Sequence, residues 1–120
     1  MPIRIKRVYD PPQAADGCRI LVDRIWPRGV KKEEAKVTQW AKDLAPSDQL
    51  RRWYGHDPER WDEFRQRYFR ELETRQEAVD NLLARAASEE LTLLFAARDE
   101  RQNNAVALLE YLQQRQGQRG

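Results

Sequence analysis

A chain of 120 residues, 40% hydrophobic and 35% charged, has room for one hydrophobic core and no second one. No apolar run approaches the roughly 20 residues of a membrane span, and Met1-Pro2-Ile3-Arg4-Ile5-Lys6-Arg7 alternates where a signal peptide would be continuously apolar, so a cytoplasmic protein with no membrane partner is expected. The net charge of +2 is uneven: residues 1–32 hold eight Lys and Arg against three Asp and Glu, an excess suited to a phosphate, a nucleic acid or another anion.

In chain order, Ile3, Ile5 and Val8 among basic neighbours predict a short first strand, closed by Asp10-Pro11-Pro12. Cys18 to Ile25 is a continuous apolar and β-branched run after Gly17, which predicts a second strand covered on both faces. Ser47 predicts the N-cap of a helix carrying Leu50, Trp53 and Tyr54 and ending at Gly55. Asp57-Pro58 then opens an amphipathic helix with Trp61, Phe64, Tyr68 and Leu72 on one stripe. Thr74-Arg75-Gln76-Glu77 fits a capping box, from which the pattern restarts through Val79, Leu82, Leu83 and Ala86, or continues as one kinked helix. Leu91 to Ala97 predicts a third, equally central strand. A last helix from Asn103 or Asn104 is expected to bury Val106, Leu109 and Leu112. The sum is an α/β fold: a small layered domain over residues 1–115 with a mainly parallel sheet of three or four strands flanked by helices, and a disordered tail over 116–120.

The candidate site is the turn leaving the second strand. Trp26-Pro27-Arg28-Gly29 suits a type I turn with proline second and glycine fourth. It leaves the carboxyl end of a strand, where open α/β sheets gather ligands, together with Arg24 and Lys31. Guanidinium groups offer paired planar donors to the paired oxygens of phosphate or carboxylate. Asp23 is expected to pair with Lys6 or Arg7 on the neighbouring strand, and Tyr9 closes the first strand at the same rim. Asn103, at a helix start, caps that helix or contacts a ligand. The ligand-binding set is therefore Arg7, Tyr9, Asp23, Arg24, Trp26, Arg28 and Asn103. No glycine-rich phosphate loop occurs. One histidine, His56, and one cysteine, Cys18, leave no zinc cluster, and no catalytic residue, metal or cofactor is assigned. His56 is expected to be structural and exposed, and Trp40, Trp53 and Trp61 to be core or capping aromatics.

Lys6-Arg7-Val8-Tyr9-Asp10-Pro11, Asp16-Gly17, Leu21-Val22-Asp23-Arg24-Ile25-Trp26-Pro27-Arg28-Gly29, Ala45-Pro46-Ser47 with Leu50-Arg51, and Leu91-Thr92-Leu93-Leu94 together closely resemble the bacterial YeaO-like family, a domain of unknown function. The resemblance spans Ile3 to Leu112 and implies a compact cytoplasmic α/β protein. Members typically carry Asn-His-Ala where this chain has Asn103-Asn104-Ala105, so the resemblance favours binding over acid/base catalysis. The leading expectation is a module for a small anionic or phosphate-bearing ligand at the carboxyl ends of the strands. The alternatives are a nucleic-acid-binding or regulatory interaction protein using the basic first third, and a structural or oligomeric protein whose arginines are locked in internal pairs. No winged helix-turn-helix supports DNA reading.

Overall fold

Each apolar run forms a parallel strand in the computed structural model, which describes residues 3–119. The strands are β1 (Ile3–Arg7), β2 (Cys18–Leu21), β3 (Gln39–Trp40) and β4 (Leu91–Phe95), in the order β1-β4-β2-β3 with every pair parallel. Leu91 is in register with both Ile3 and Cys18, so β4 lies between β1 and β2 and is buried along its whole length. That is why its sequence shows no alternation. The expected α/β class with a parallel, helix-flanked sheet is what the chain adopts.

Five α-helices alternate with the strands among the described residues: α1 (Lys32–Ala35) between β2 and β3, α2 (Asp48–Tyr54), α3 (Trp61–Glu73) and α4 (Gln76–Ser88) between β3 and β4, and α5 (Asn104–Arg119) after β4. On one face Ile20, Leu91 and Leu93 pack with Phe64, Tyr68, Leu72, Val79, Leu83 and Leu108 in the main core. On the other, Leu21, Leu94 and Val8 meet Ala35 of α1 in a smaller cluster. The Ser47 hydroxyl accepts from the Leu50 N–H at 3.1 Å, as expected of an N-cap, and Gly55 ends α2 in the left-handed conformation. Asp57 caps the single turn Pro58–Arg60 that leads into α3.

Several expectations are corrected. β2 ends at Leu21 rather than Ile25: the Val22 N–H still reaches the Leu94 carbonyl, but the Asp23 carboxylate then takes the Ala96 N–H at 3.0 Å and the chain leaves the sheet. Ile25 is 59% exposed. Thr74 is the C-cap of α3 and not the N-cap of the next helix; its hydroxyl donates back to the Glu71 carbonyl, and α4 begins as a separate helix without a side-chain cap. α5 buries Ala105, Leu108, Tyr111 and Leu112, while Val106 and Leu109 are only half-buried. α5 is assigned through Arg119, and Gly120 lies outside the described residues.

The entry to β2 is closed by charge. Asp16, 5% exposed, accepts from Arg19 at 2.6 Å, from Lys6 at 3.1 Å and from the Gln13 N–H at 3.0 Å. Arg19, 3% exposed, also donates Nε to the Ala35 carbonyl at 2.8 Å, although its Nη2 is buried without a partner. Burial pushes the Asp16 carboxyl up, but the Gln13, Lys6 and Arg19 donors outweigh it and hold it below the ordinary carboxylate value. Gly17 fits here because its φ is 64° and a Cβ would lie 2.4 Å from the Glu90 carbonyl oxygen.

Candidate functional site

Adjacent strands β2 and β4 send their chains to opposite faces of the sheet. After β2 the chain goes to α1 on the minor face, and after β4 it goes to α5 on the main face. Ligands of open α/β sheets bind at such a reversal, outside the carboxyl ends of the strands. A cavity of about 420 Å³ opens there.

Its first wall is the turn after β2, with Arg24, Ile25, Trp26, Pro27 and Arg28. The Trp26 indole donates to the Val30 carbonyl at 2.8 Å and meets Trp40 edge-on with ring centroids 5.3 Å apart, which stiffens the loop. The turn itself is one residue later than expected. The Val30 N–H points to the Pro27 carbonyl, and Gly29, third of the four, has a φ of 76°, the sign that type II turns require at this position.

Asp23 and Asn104 lie at the base, half-buried. One Asp23 oxygen accepts the Ala96 N–H and the other accepts the Asn104 amide at 3.0 Å; the same amide donates to the Val22 carbonyl at 2.8 Å. Asp23 thereby ties the ends of β2 and β4 to the start of α5. The expected pairing with Lys6 or Arg7 does not form, because Lys6 faces Asp16 and Arg7 donates to the Ala97 and Ala96 carbonyls at 3.0 and 3.3 Å. Burial pushes the Asp23 carboxyl above its ordinary value, against the opposing effect of the Asn104 and Ala96 donors and the nearby charges of Arg51 and His56.

The opposite wall is Pro46, Tyr54 and Phe64, all buried, with Tyr54 and Phe64 stacked at 4.4 Å between centroids. Arg51 and His56 complete the rim. His56 has a φ of 58°, a left-handed conformation uncommon outside glycine, and follows Gly55 in the same conformation. This places its imidazole at the cavity, whereas its sequence neighbours suggested only a helix start. Arg51 donates to Asp48 at 2.6 Å. Arg24 and Arg28 are exposed and, among the described residues, take part in no ion pair and no side-chain hydrogen bond.

Of the sequence-predicted residues, Asp23, Arg24, Trp26, Arg28 and Asn103 line the cavity, and Arg7 and Tyr9 do not. Tyr9 supports the turn from behind, its hydroxyl donating to the Arg28 carbonyl at 3.0 Å, with the Arg7 guanidinium over its ring. Asn103 is 1% exposed and its side chain is occupied by the cap: it accepts the Val106 N–H at 2.9 Å and donates to the Asp99 carbonyl at 2.8 Å. Sequence reasoning did not place Arg51, Tyr54, His56, Phe64 or Asn104 at the site. The Leu50-Arg51 pair was visible as a motif, but only the packing of α2 against α3 brings it to the strand ends.

Part of the charge of the basic first third is answered within the chain: Arg4 pairs with Glu90, Lys6 and Arg19 with Asp16, and Arg7 donates to backbone carbonyls, while Arg24, Arg28, Lys31 and Lys32 are exposed. Among the described residues no group of three or more His, Cys, Asp and Glu could hold a metal ion, and no helix is long and apolar enough to cross a membrane.

Over residues 2–120 the chain matches the family model described as the inactive DUF488-N3 subclade. It is 40% identical over 112 residues to the uncharacterized protein YeaO of Escherichia coli (strain K12), covering 93% of this chain and 97% of that one. Uncharacterized proteins of Mycobacterium bovis and Mycobacterium tuberculosis are each 42% identical over 110 residues, covering 92% of both chains. No solved structure matches.

Proposed function

We propose that this protein, which belongs to the inactive DUF488-N3 subclade and is YeaO-like over nearly its whole length, binds a small anionic or phosphate-bearing ligand in the cavity outside β2 and β4. The observation that carries the reading is the pair of exposed arginines, Arg24 and Arg28, which border the cavity without a carboxylate partner. Every other arginine of residues 1–32 is engaged internally, so these two are the ones left for an external anion. The rigid turn beneath them lowers the ordering cost of binding. The description of the subclade as inactive agrees with binding rather than turnover, as does the base of the cavity, where an amide, Asn104, faces the only carboxylate of the lining.

Isothermal titration with inorganic phosphate and a set of phosphate monoesters tests this. Saturable binding that weakens about a hundredfold or more in Arg24→Ala/Arg28→Ala is expected, since each hydrogen bond to a charged group contributes about 1.5–3 kcal/mol. Binding that survives unchanged in the double variant contradicts the site.

A further inference from the structure

The cavity lining combines three chemistries. Arg24, Arg28 and Arg51 are exposed cations; Trp26 is a half-buried and Pro27, Pro46, Tyr54 and Phe64 are buried apolar surfaces; Asp23 and Asn104 are a half-buried acceptor and amide. A bare anion such as phosphate answers only the arginines. It leaves Ile25 uncovered and gains nothing from Asp23, whose negative charge opposes its approach. A carboxylate has about four acceptor positions, and the Ala96 N–H and the Asn104 amide occupy one on each oxygen, so each oxygen keeps room for a further donor. Ile25 adds a second sign. It is 59% exposed, one of only two large hydrophobic side chains exposed among the described residues, and it stands at the mouth of this cavity. An apolar side chain held in water across the cavity from apolar walls is covered when a flat body enters between them.

We infer that the ligand is two-ended: a phosphate monoester of a flat heteroaromatic body, with its phosphate between Arg24 and Arg28, its ring system between the Ile25–Pro27 and Pro46–Phe64 walls, and a hydroxyl or amine donor on Asp23. Nucleoside monophosphates are the common molecules of this description. The inference rests on the anion reading above and adds the body and the donor end to it. Asp23 is here a ligand-recognising acceptor, and Asn104 positions it through the shared hydrogen bond.

The test is a calorimetric comparison of inorganic phosphate, ribose 5-phosphate, a nucleoside, and the four common ribonucleoside 5′-monophosphates on the full chain. At least one nucleoside monophosphate is expected to bind about tenfold or more tightly than ribose 5-phosphate, and Arg24→Ala to weaken both. Ile25→Ser, a change at an exposed position that the fold tolerates, is expected to narrow that ratio several-fold and leave phosphate binding unchanged. Asp23→Asn is expected to narrow the ratio as well, with phosphate binding unchanged or tighter for loss of the opposing charge; because Asp23 also ties three elements together, Ile25→Ser keeps the test decisive if that variant unfolds. Equal affinity for ribose 5-phosphate and every nucleoside monophosphate, or an unaltered ratio in Ile25→Ser, overturns the two-ended ligand and leaves the anion site standing. A nucleoside that binds as tightly as its monophosphate overturns the anion site, and the two-ended ligand with it.

Discussion

The two ends of β2 carry the same residue types in opposite states. Before the strand, Asp16 and Arg19 are buried against each other and Lys6 joins them; after it, Asp23 meets only neutral donors, and Arg24 and Arg28 stand in water without partners. The carboxyls respond in opposite directions. Burial acts upward on both; at Asp16 the cationic and backbone donors reverse it, and at Asp23 burial prevails. The closed end is a structural ion cluster whose charges answer one another. At the open end Arg51 and His56 act on Asp23, and Arg24 on Asp48, only as nearby charges, while Arg24 and Arg28 form no ion pair among the described residues; the proposed ligand site lies at this end.

The largest effect is expected at the closed end. Asp16→Ala leaves the Arg19 guanidinium buried and uncompensated, and urea denaturation is expected to show a loss of about 3–5 kcal/mol. The same group sets a pH dependence. With its folded value below the unfolded one, Asp16 contributes stability that is present above the ordinary carboxylate value and is lost as pH falls through the folded value. Asp16→Asn is expected to flatten that acid limb, measured as midpoint against pH; an unchanged limb would mean the cluster is not what fails in acid. Gly17→Ala comes next, at about 1–3 kcal/mol for the forced backbone conformation, with the contact against Glu90 added to it. Thermal melting reads that loss.

Smaller losses are expected at the open end. Asp23→Ala strips the Ala96 N–H and the Asn104 amide of their acceptor and is expected to lose about 1–3 kcal/mol. Arg24→Ala/Arg28→Ala is expected to leave denaturation within about 0.5 kcal/mol of the parent chain, the range of surface changes that touch no special feature. A large loss in that double variant would mean the two arginines hold the fold rather than face a ligand.

Much of this difference was hidden in the sequence. Both strand ends read as the edges of one apolar run, and Arg19 lies within it with no local sign of burial, because its partner Asp16 reaches it only after the chain turns at Gly17. The central strands and the Ser47 and Asp57 caps were legible because each depends on neighbours within a few residues. β3, with two residues, and α1, with four, are too short to show a period. The register of α5 was misread because Val106, Leu108, Leu109 and Leu112 spread over a wide arc, and only the sheet decides which of them is covered. At the cavity, the wall from Asp23 to Arg28 was legible as a stiff cationic turn. The facing wall was not, because Arg51, Tyr54, His56 and Phe64 reach it through the packing of α2 and α3 and a left-handed histidine.

The contrast between the two ends can be read directly from arginine side-chain Nε–H resonances, followed by NMR as inorganic phosphate is added at constant ionic strength. The Arg24 and Arg28 signals are expected to move along saturable curves with one shared dissociation constant, while the Arg19 signal, held by Asp16 and the Ala35 carbonyl, stays in place. Arg24 and Arg28 signals that do not move, or that drift without saturating, would contradict an anion site at the carboxyl ends of β2 and β4.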